Sequence, residues 1–137
     1  MAARQQRPLP LILARELASQ LATATFIADA QGQLVFYNEP AEEILGRTFA
    51  EAGAMPASEW GALFNLESVD GDPLPPEQMP AAIALMHQRP AHGRLRMTGL
   101  DGVKRTLSVT GIPLFASRVD CIGMLAFFWQ EDEGEDG

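Results

Sequence analysis

The spacing of apolar side chains changes along the chain, and the changes divide it into elements. Leu13, Leu17 and Leu21 recur every four residues, with Arg15, Glu16, Ser19 and Gln20 between them. That is the stripe of a one-faced amphipathic helix, predicted over residues 9–22. Two short runs rich in β-branched and aromatic residues follow, 23–29 and 33–37, and read as strands. Gln31 and Gly32 separate them, with glycine able to take the positive φ of a tight turn. Asn38 ends the second run and can cap the next helix, whose first turn tolerates Pro40 because the missing N–H had no partner there. Glu39, Glu42 and Glu43 suit the positive end of that helix, Ile44 and Leu45 face inward, and Gly46 stops it.

The middle of the chain is less regular. Residues 48–56 carry no clear period, and a short helical turn is predicted over 58–64, with Ser58 as its cap. The run ESVDGDPLPP at 67–76 is dense in turn formers and reads as a loop. A longer helix is predicted over 77–88, with Met79, Ile83 and Met86 along one face, Pro80 in its first turn and Pro90 beyond its end. Strict alternation then returns. Over 94–98, Leu95 and Met97 oppose Arg94, Arg96 and Thr98; Asp101-Gly102 signals a hairpin. Over 103–112, Leu107 and Val109 oppose Thr106, Ser108 and Thr110, and Pro113 marks the end. The final run, 121–129, is apolar on both faces, so both call for cover. Helices between the second and third strands can cover one face. The helix at 9–22, from the same chain or from a partner, is the candidate for the other.

Composition narrows the class. The chain has 137 residues, enough for one domain, and 47% of them are hydrophobic, enough for a core. Net charge is −8, but five acids lie in the last seven residues; without them 13 acids face 10 bases. The segment 131–137 therefore reads as a solvated acidic tail, and 1–8 as a flexible lead. A body of this charge offers no basic surface for nucleic acid. No apolar run approaches the length that spans a bilayer, and the run 9–14 is broken by Pro10 and followed by Arg15 and Glu16, unlike a secretory signal. The one cysteine, Cys121, excludes an intrachain disulfide and a multi-cysteine zinc site. A cytoplasmic protein that does not enter membranes is the expectation.

The order hairpin, Asn, short acidic helix, Leu-Gly at 29–46 resembles the opening of a PAS domain. The positions that carry the resemblance are the Asp29–Gly32 turn, Asn38, Leu45-Gly46, Asp101-Gly102, Pro113 and Gly123, and it runs over residues 23–130. It implies an α+β PAS fold: a five-stranded antiparallel sheet, short helices on one face, and an N-terminal flanking amphipathic helix. It also implies a sensory or regulatory module in signal transduction rather than an enzyme. Many members continue from an Asp-Ile-Thr type signature into a coiled coil and an effector. Here the last strand reads FFWQEDEGEDG, with no heptad. Either a stand-alone sensor that binds another protein, or a piece of a larger chain, fits that ending.

By the same resemblance, a pocket between sheet and helices would be lined by Ile27, Leu45, Phe64, Ile83, Met86, Leu95, Met97, Leu107, Val109 and Phe127. Ordinary core is the competing reading of this set. As a pocket it would take a fatty acid or another small apolar molecule, with methionines adapting to its shape. His87 falls where some haem-binding members carry their proximal histidine, but a histidine near a helix C-terminus also suits the dipole, which argues against haem. Flavin photosensors of this family place a reactive cysteine on a helix within Asn-Cys-Arg-Phe-Leu; nothing of that kind occurs here, and Cys121 reads as a packing residue. Leu13, Leu17, Leu21 and Trp129 are the expected interface of a homodimer formed through the flanking helix and the outer sheet face, with a further protein partner. Two other functions compete: a ligand-free dimerisation scaffold, and a small cavity enzyme using one carboxylate and one histidine, such as Asp29 and His87. The strands offer few inward ionisable residues for the latter.

Overall fold

The structure, a computed structural model, describes residues 9–53, 55–56, 59, 65–99 and 102–131. Helix α1 (Leu9–Ala18) leads into strands β1 (Ala24–Asp29) and β2 (Gln33–Tyr37). Helices α2 (Glu39–Leu45) and α3 (Phe49–Ala52) and a two-residue strand β3 (Met55–Pro56) follow. A 3₁₀ turn at Pro76–Gln78 precedes helix α4 (Pro80–His87), and strands β4 (Ala91–Thr98), β5 (Lys104–Ser117) and β6 (Asp120–Gln130) complete the chain. The strands form one antiparallel sheet in the order β3-β2-β1-β6-β5-β4. Five of them are long; β3 adds only the pairs Gln33↔Pro56 and Leu34↔Met55 at one edge.

Side chains alternate across this sheet and build two cores. The inner core, under α2 and α4, holds Phe26, Ala28, Leu34, Tyr37, Leu95, Met97, Leu107, Val109, Met124 and Phe128. The outer core lies under α1 and joins Leu11, Ala14 and Ala18 to Ile27, Val35, Ile122 and Leu125. The chain's own flanking helix thus covers the second face of β6.

Two glycines let elements close on one another. A Cβ at Gly111 would lie 2.9 Å from the Pro80 carbonyl oxygen and 3.1 Å from the Ala84 Cβ, so α4 rests on β5 only because that position is bare. A Cβ at Gly123 would collide with the Ala28 carbonyl oxygen across β1 and β6. Next to it the β5–β6 register shifts, Leu114 pairing with Gly123 and Phe115 with Cys121. The shift leaves Ile122 as an extra residue, a bulge that turns its side chain to the outer face while Met124 faces inward.

Several predicted boundaries move. The first helix ends at Ala18, not at 22. The irregular 48–56 contains α3 and β3. The helix predicted from 77 begins at Pro80 after a 3₁₀ turn, because each proline in PEQMP lacks a donor and suits a helix start. β4 begins at Ala91, directly after Pro90. β5 runs through Pro113 to Ser117; β4 begins opposite Gly111, so Pro113 has only β6 beside it, and a missing donor is tolerated on an open side. The predicted turn of helix at 58–64 lies outside the described residues apart from Glu59, as do 1–8, 132–137 and Asp101.

Candidate functional site

Asn38 is the junction on which the helical side is hung. It is 2% exposed, and its side chain makes four hydrogen bonds. Oδ1 accepts from the Thr25 amide at 3.0 Å and the Ala41 amide at 3.2 Å. Nδ2 donates to the carbonyls of Ala18 at 2.8 Å and Thr23 at 3.0 Å. One amide therefore caps α2, ties β1 to the end of β2, and holds the last residue of α1. At the other end of the hairpin Asp29 accepts from the amides of Gln31 and Gln33, both at 3.0 Å, the Asx turn its sequence position predicts. Glu42 is more than a solvated helix residue: its carboxylate accepts from the Phe49 amide at 3.0 Å and so caps α3.

Between the sheet's inner face and the helices lies a small apolar space of about 40 Å³, walled mostly by buried side chains. Leu45, Leu95, Met97, Leu107 and Val109 line it, with Phe26, Leu34, Tyr37, Leu66, Met79, Pro80, Ala81 and Phe128. The one polar group on these side chains, the Tyr37 hydroxyl, donates to the Arg47 carbonyl at 2.8 Å. Phe26 and Phe128 meet there with ring centroids 5.8 Å apart.

Ile27 and Phe127, expected in this lining, sit on the opposite face under α1; their neighbours Phe26 and Phe128 take the inner positions. Pairing of Phe26 with Ala126 and Ile27 with Leu125 fixes that phase. Ile83 and Met86 are also displaced from it. Helix α4 meets the sheet through Pro80, Ala81 and Ala84, which leaves Ile83 half-buried and Met86 60% exposed. His87 is exposed in the last turn of α4, away from the lining, so this arrangement offers no histidine to a haem in the small apolar space. Phe64 lies outside the described residues. Cys121 is half-buried at the start of β6, with Sγ 3.4 Å from the Gly123 carbonyl oxygen, and does not line the space.

A second, open space adjoins the first. It is a groove of about 480 Å³ between the β1–β2 turn and α4, and Met79 and Ala81 line both spaces. Pocket prediction from sequence missed it, because its walls come from the turn (Ala30, Gln31, Gly32) and from the side of α4 carrying Ala82, Leu85 and Met86. The methionine density of the helix was the one signal that marked it.

The outer face presents different chemistry. Leu9, Leu13 and Leu17 of α1 are 64%, 57% and 58% exposed, while Leu11, Ala14 and Ala18 are buried on the sheet. Leu13 and Leu17, expected at an interface, face away from the sheet, and Leu21 is half-buried beyond the helix end. Trp129 is 43% exposed and stacks on His92 at 6.2 Å. Glu131 belongs to the folded body rather than to a tail. Its amide donates to the Thr106 carbonyl at 2.8 Å, and its carboxylate accepts from the Ser108 hydroxyl and lies 3.4 Å from Arg94.

This is the geometry of a PAS domain: an antiparallel sheet, helices over an apolar space on one face, and a flanking helix on the other. Solved structures bear it out. The chain has the PAS fold. It is similar to the PAS domain of a protein from Colwellia psychrerythraea, with a TM-score of 0.64 at 20% identity over 88% of this chain and 96% of that one. It is similar to the PAS domain of nitrogen regulation protein NR(II) from Vibrio parahaemolyticus, with a TM-score of 0.60 at 16% identity over 87% and 98%. A LOV protein from Rhodobacter sphaeroides gives a TM-score of 0.71 at 12% identity over 94% and 71%. No protein-family model and no curated protein matches the sequence.

Proposed function

We propose that this PAS-fold chain is a sensory module of signal transduction, in which a small apolar ligand changes the packing of α1 against the sheet and a protein partner reads the change. The observation that carries the reading is the path from the apolar space to the helix. The space is lined by Leu45 of α2; α2 is capped by Asn38; Asn38 also holds Ala18 at the end of α1. A ligand that favours one position of α2 then shifts the population of α1 positions, provided its affinity for the two states differs. Similar PAS domains come from a nitrogen regulation protein and from a two-component sensor histidine kinase, which supports a signalling role. The exposed leucines of α1 and Trp129 are the surface we assign to a homodimer or to a protein partner. The reading is non-catalytic; among the described lining residues the one polar group, the Tyr37 hydroxyl, is already bonded to the Arg47 carbonyl, which supports it.

A second reading is favoured by the size of the small apolar space. About 40 Å³ is far below the roughly 300 Å³ at which ligand pockets begin, so a ligand-free dimerisation scaffold also fits. Native mass spectrometry of freshly purified protein separates the two. The sensor reading expects an excess mass that vanishes on denaturation. A clean dimer with no excess mass would replace it with the scaffold.

A further inference from the structure

The open groove beside α4 has the size and chemistry of a binding site, and it adjoins the smaller apolar space through Met79 and Ala81. Its volume, about 480 Å³, falls within the range of small-molecule sites. Its floor is the buried pair Ala28 and Met124 on the sheet's inner face. Its helical wall carries Leu85 and the exposed Met86, an unbranched side chain that can close over an irregular guest. Its inner end is Met79, 8% exposed, which also lines the smaller space. A flexible methionine thus stands, with Ala81, between the apolar groove and the smaller apolar space in the core.

The rim sets the charge of the guest. Gln31 stands on the turn side and Glu77 on the helix side, both exposed, and Glu77 is the one charged residue among the described lining. A fatty acid lodged in the groove would bring its carboxylate toward another carboxylate. An amine would meet an opposite charge and an amide acceptor.

We propose that this groove binds a small amphipathic cation: an elongated apolar body lying on Ala28, Met124 and Leu85, with an ammonium head at Glu77 and Gln31. The proposal rests on the ligand-sensing reading above and narrows it, moving the site from the smaller space to the groove and replacing the fatty acid by an apolar amine. The apolar end of the guest reaches Met79, and displacement of that side chain is how occupancy is passed to the core.

The test is titration of the full chain, carrying ¹³C-methyl methionine, with decylamine, decanol and decanoate. Decylamine is expected to shift the methyl signals of Met79, Met86 and Met124 saturably and Met97 least. Decanoate is expected to bind about tenfold more weakly, since one exposed attraction is exchanged for one exposed repulsion. Glu77→Gln, at an exposed position, should bring amine and acid within about twofold while decanol is unchanged. Equal affinity for amine and acid in the unaltered protein overturns the proposal, as does the lack of a saturable shift with all three. A Met97 shift with Met86 and Met124 unmoved would also overturn it, placing the guest in the smaller space and leaving the sensor reading intact. Decylamine binding as expected, with unchanged amide exchange in residues 9–18, would keep the groove and remove the signalling reading.

Discussion

Where α4 meets the sheet, Pro80, Ala81 and Ala84 descend on a bare Gly111, and contact is close enough that one added carbon would meet a carbonyl oxygen at 2.9 Å. Where α1 meets the other face, one large side chain, Leu11, is buried along with two alanines, Ala14 and Ala18, and Leu9, Leu13 and Leu17 remain outside. The contact of α4 is small and tight. The outer cover buries one side of a helix that is apolar on two. Close-packed interiors have discrete arrangements, whereas a helix held by a short seam can shift or exchange partners at lower cost. The difference assigns fixed structure to α4 and adjustable structure to α1.

The largest effect is expected where the two covers are joined. Asn38→Ala leaves the Thr25 and Ala41 amides and the Ala18 and Thr23 carbonyls without their partner in a buried setting. Urea denaturation should show a loss of about 4 kcal/mol. A loss below about 1 kcal/mol would mean that the junction is supported elsewhere, and the path from α2 to α1 would fail with it. Gly111→Ala comes next, at about 2 kcal/mol, because Pro80 and Ala84 contribute backbone and a methyl rather than a yielding side chain. An unchanged denaturation midpoint would show that α4 can lift off the sheet, and the contrast between the two covers would vanish.

The elements that sequence places well are those with one polar face. β2 is found over 33–37 as predicted, and Leu95, Met97, Leu107 and Val109 line the small apolar space because Arg, Thr and Ser alternate with them and fix their phase. β1 and β6 carry no such alternation. Phe26-Ile27 and Phe127-Phe128 are equally apolar neighbours, so pattern alone could not say which member faces inward. The bulge at Ile122 moves a further residue across the sheet, and it is a property of pairing rather than of any one side chain. In α4 the error has another source. Large residues were expected to face the core, yet close approach to Gly111 selects the small side of the helix and turns Met86 out toward the groove. Asn38 was legible as a cap, but its second pair of bonds, to Ala18 and Thr23, joins parts of the chain that only the fold brings together.

The smallest effect on stability is expected at the outward side of α1, and it is the most informative about function. Leu17 is 58% exposed and lies near the helix C-terminus, where a cation suits the dipole. Leu17→Lys should therefore change folding stability by no more than about 0.5 kcal/mol. The same substitution puts a charge in the middle of the stripe formed by Leu13, Leu17 and the half-buried Leu21. If α1 is the adjustable cover and its outer leucines are a protein contact, sedimentation at increasing concentration should show self-association in the unaltered chain and its loss in the variant. Self-association that survives Leu17→Lys would move the interface away from α1, leaving Trp129 and its His92 stack as the surface to test. A large fall in stability would mean instead that the outer side of the helix is already packed within the chain, and the distinction between a tight and a partial cover would no longer hold.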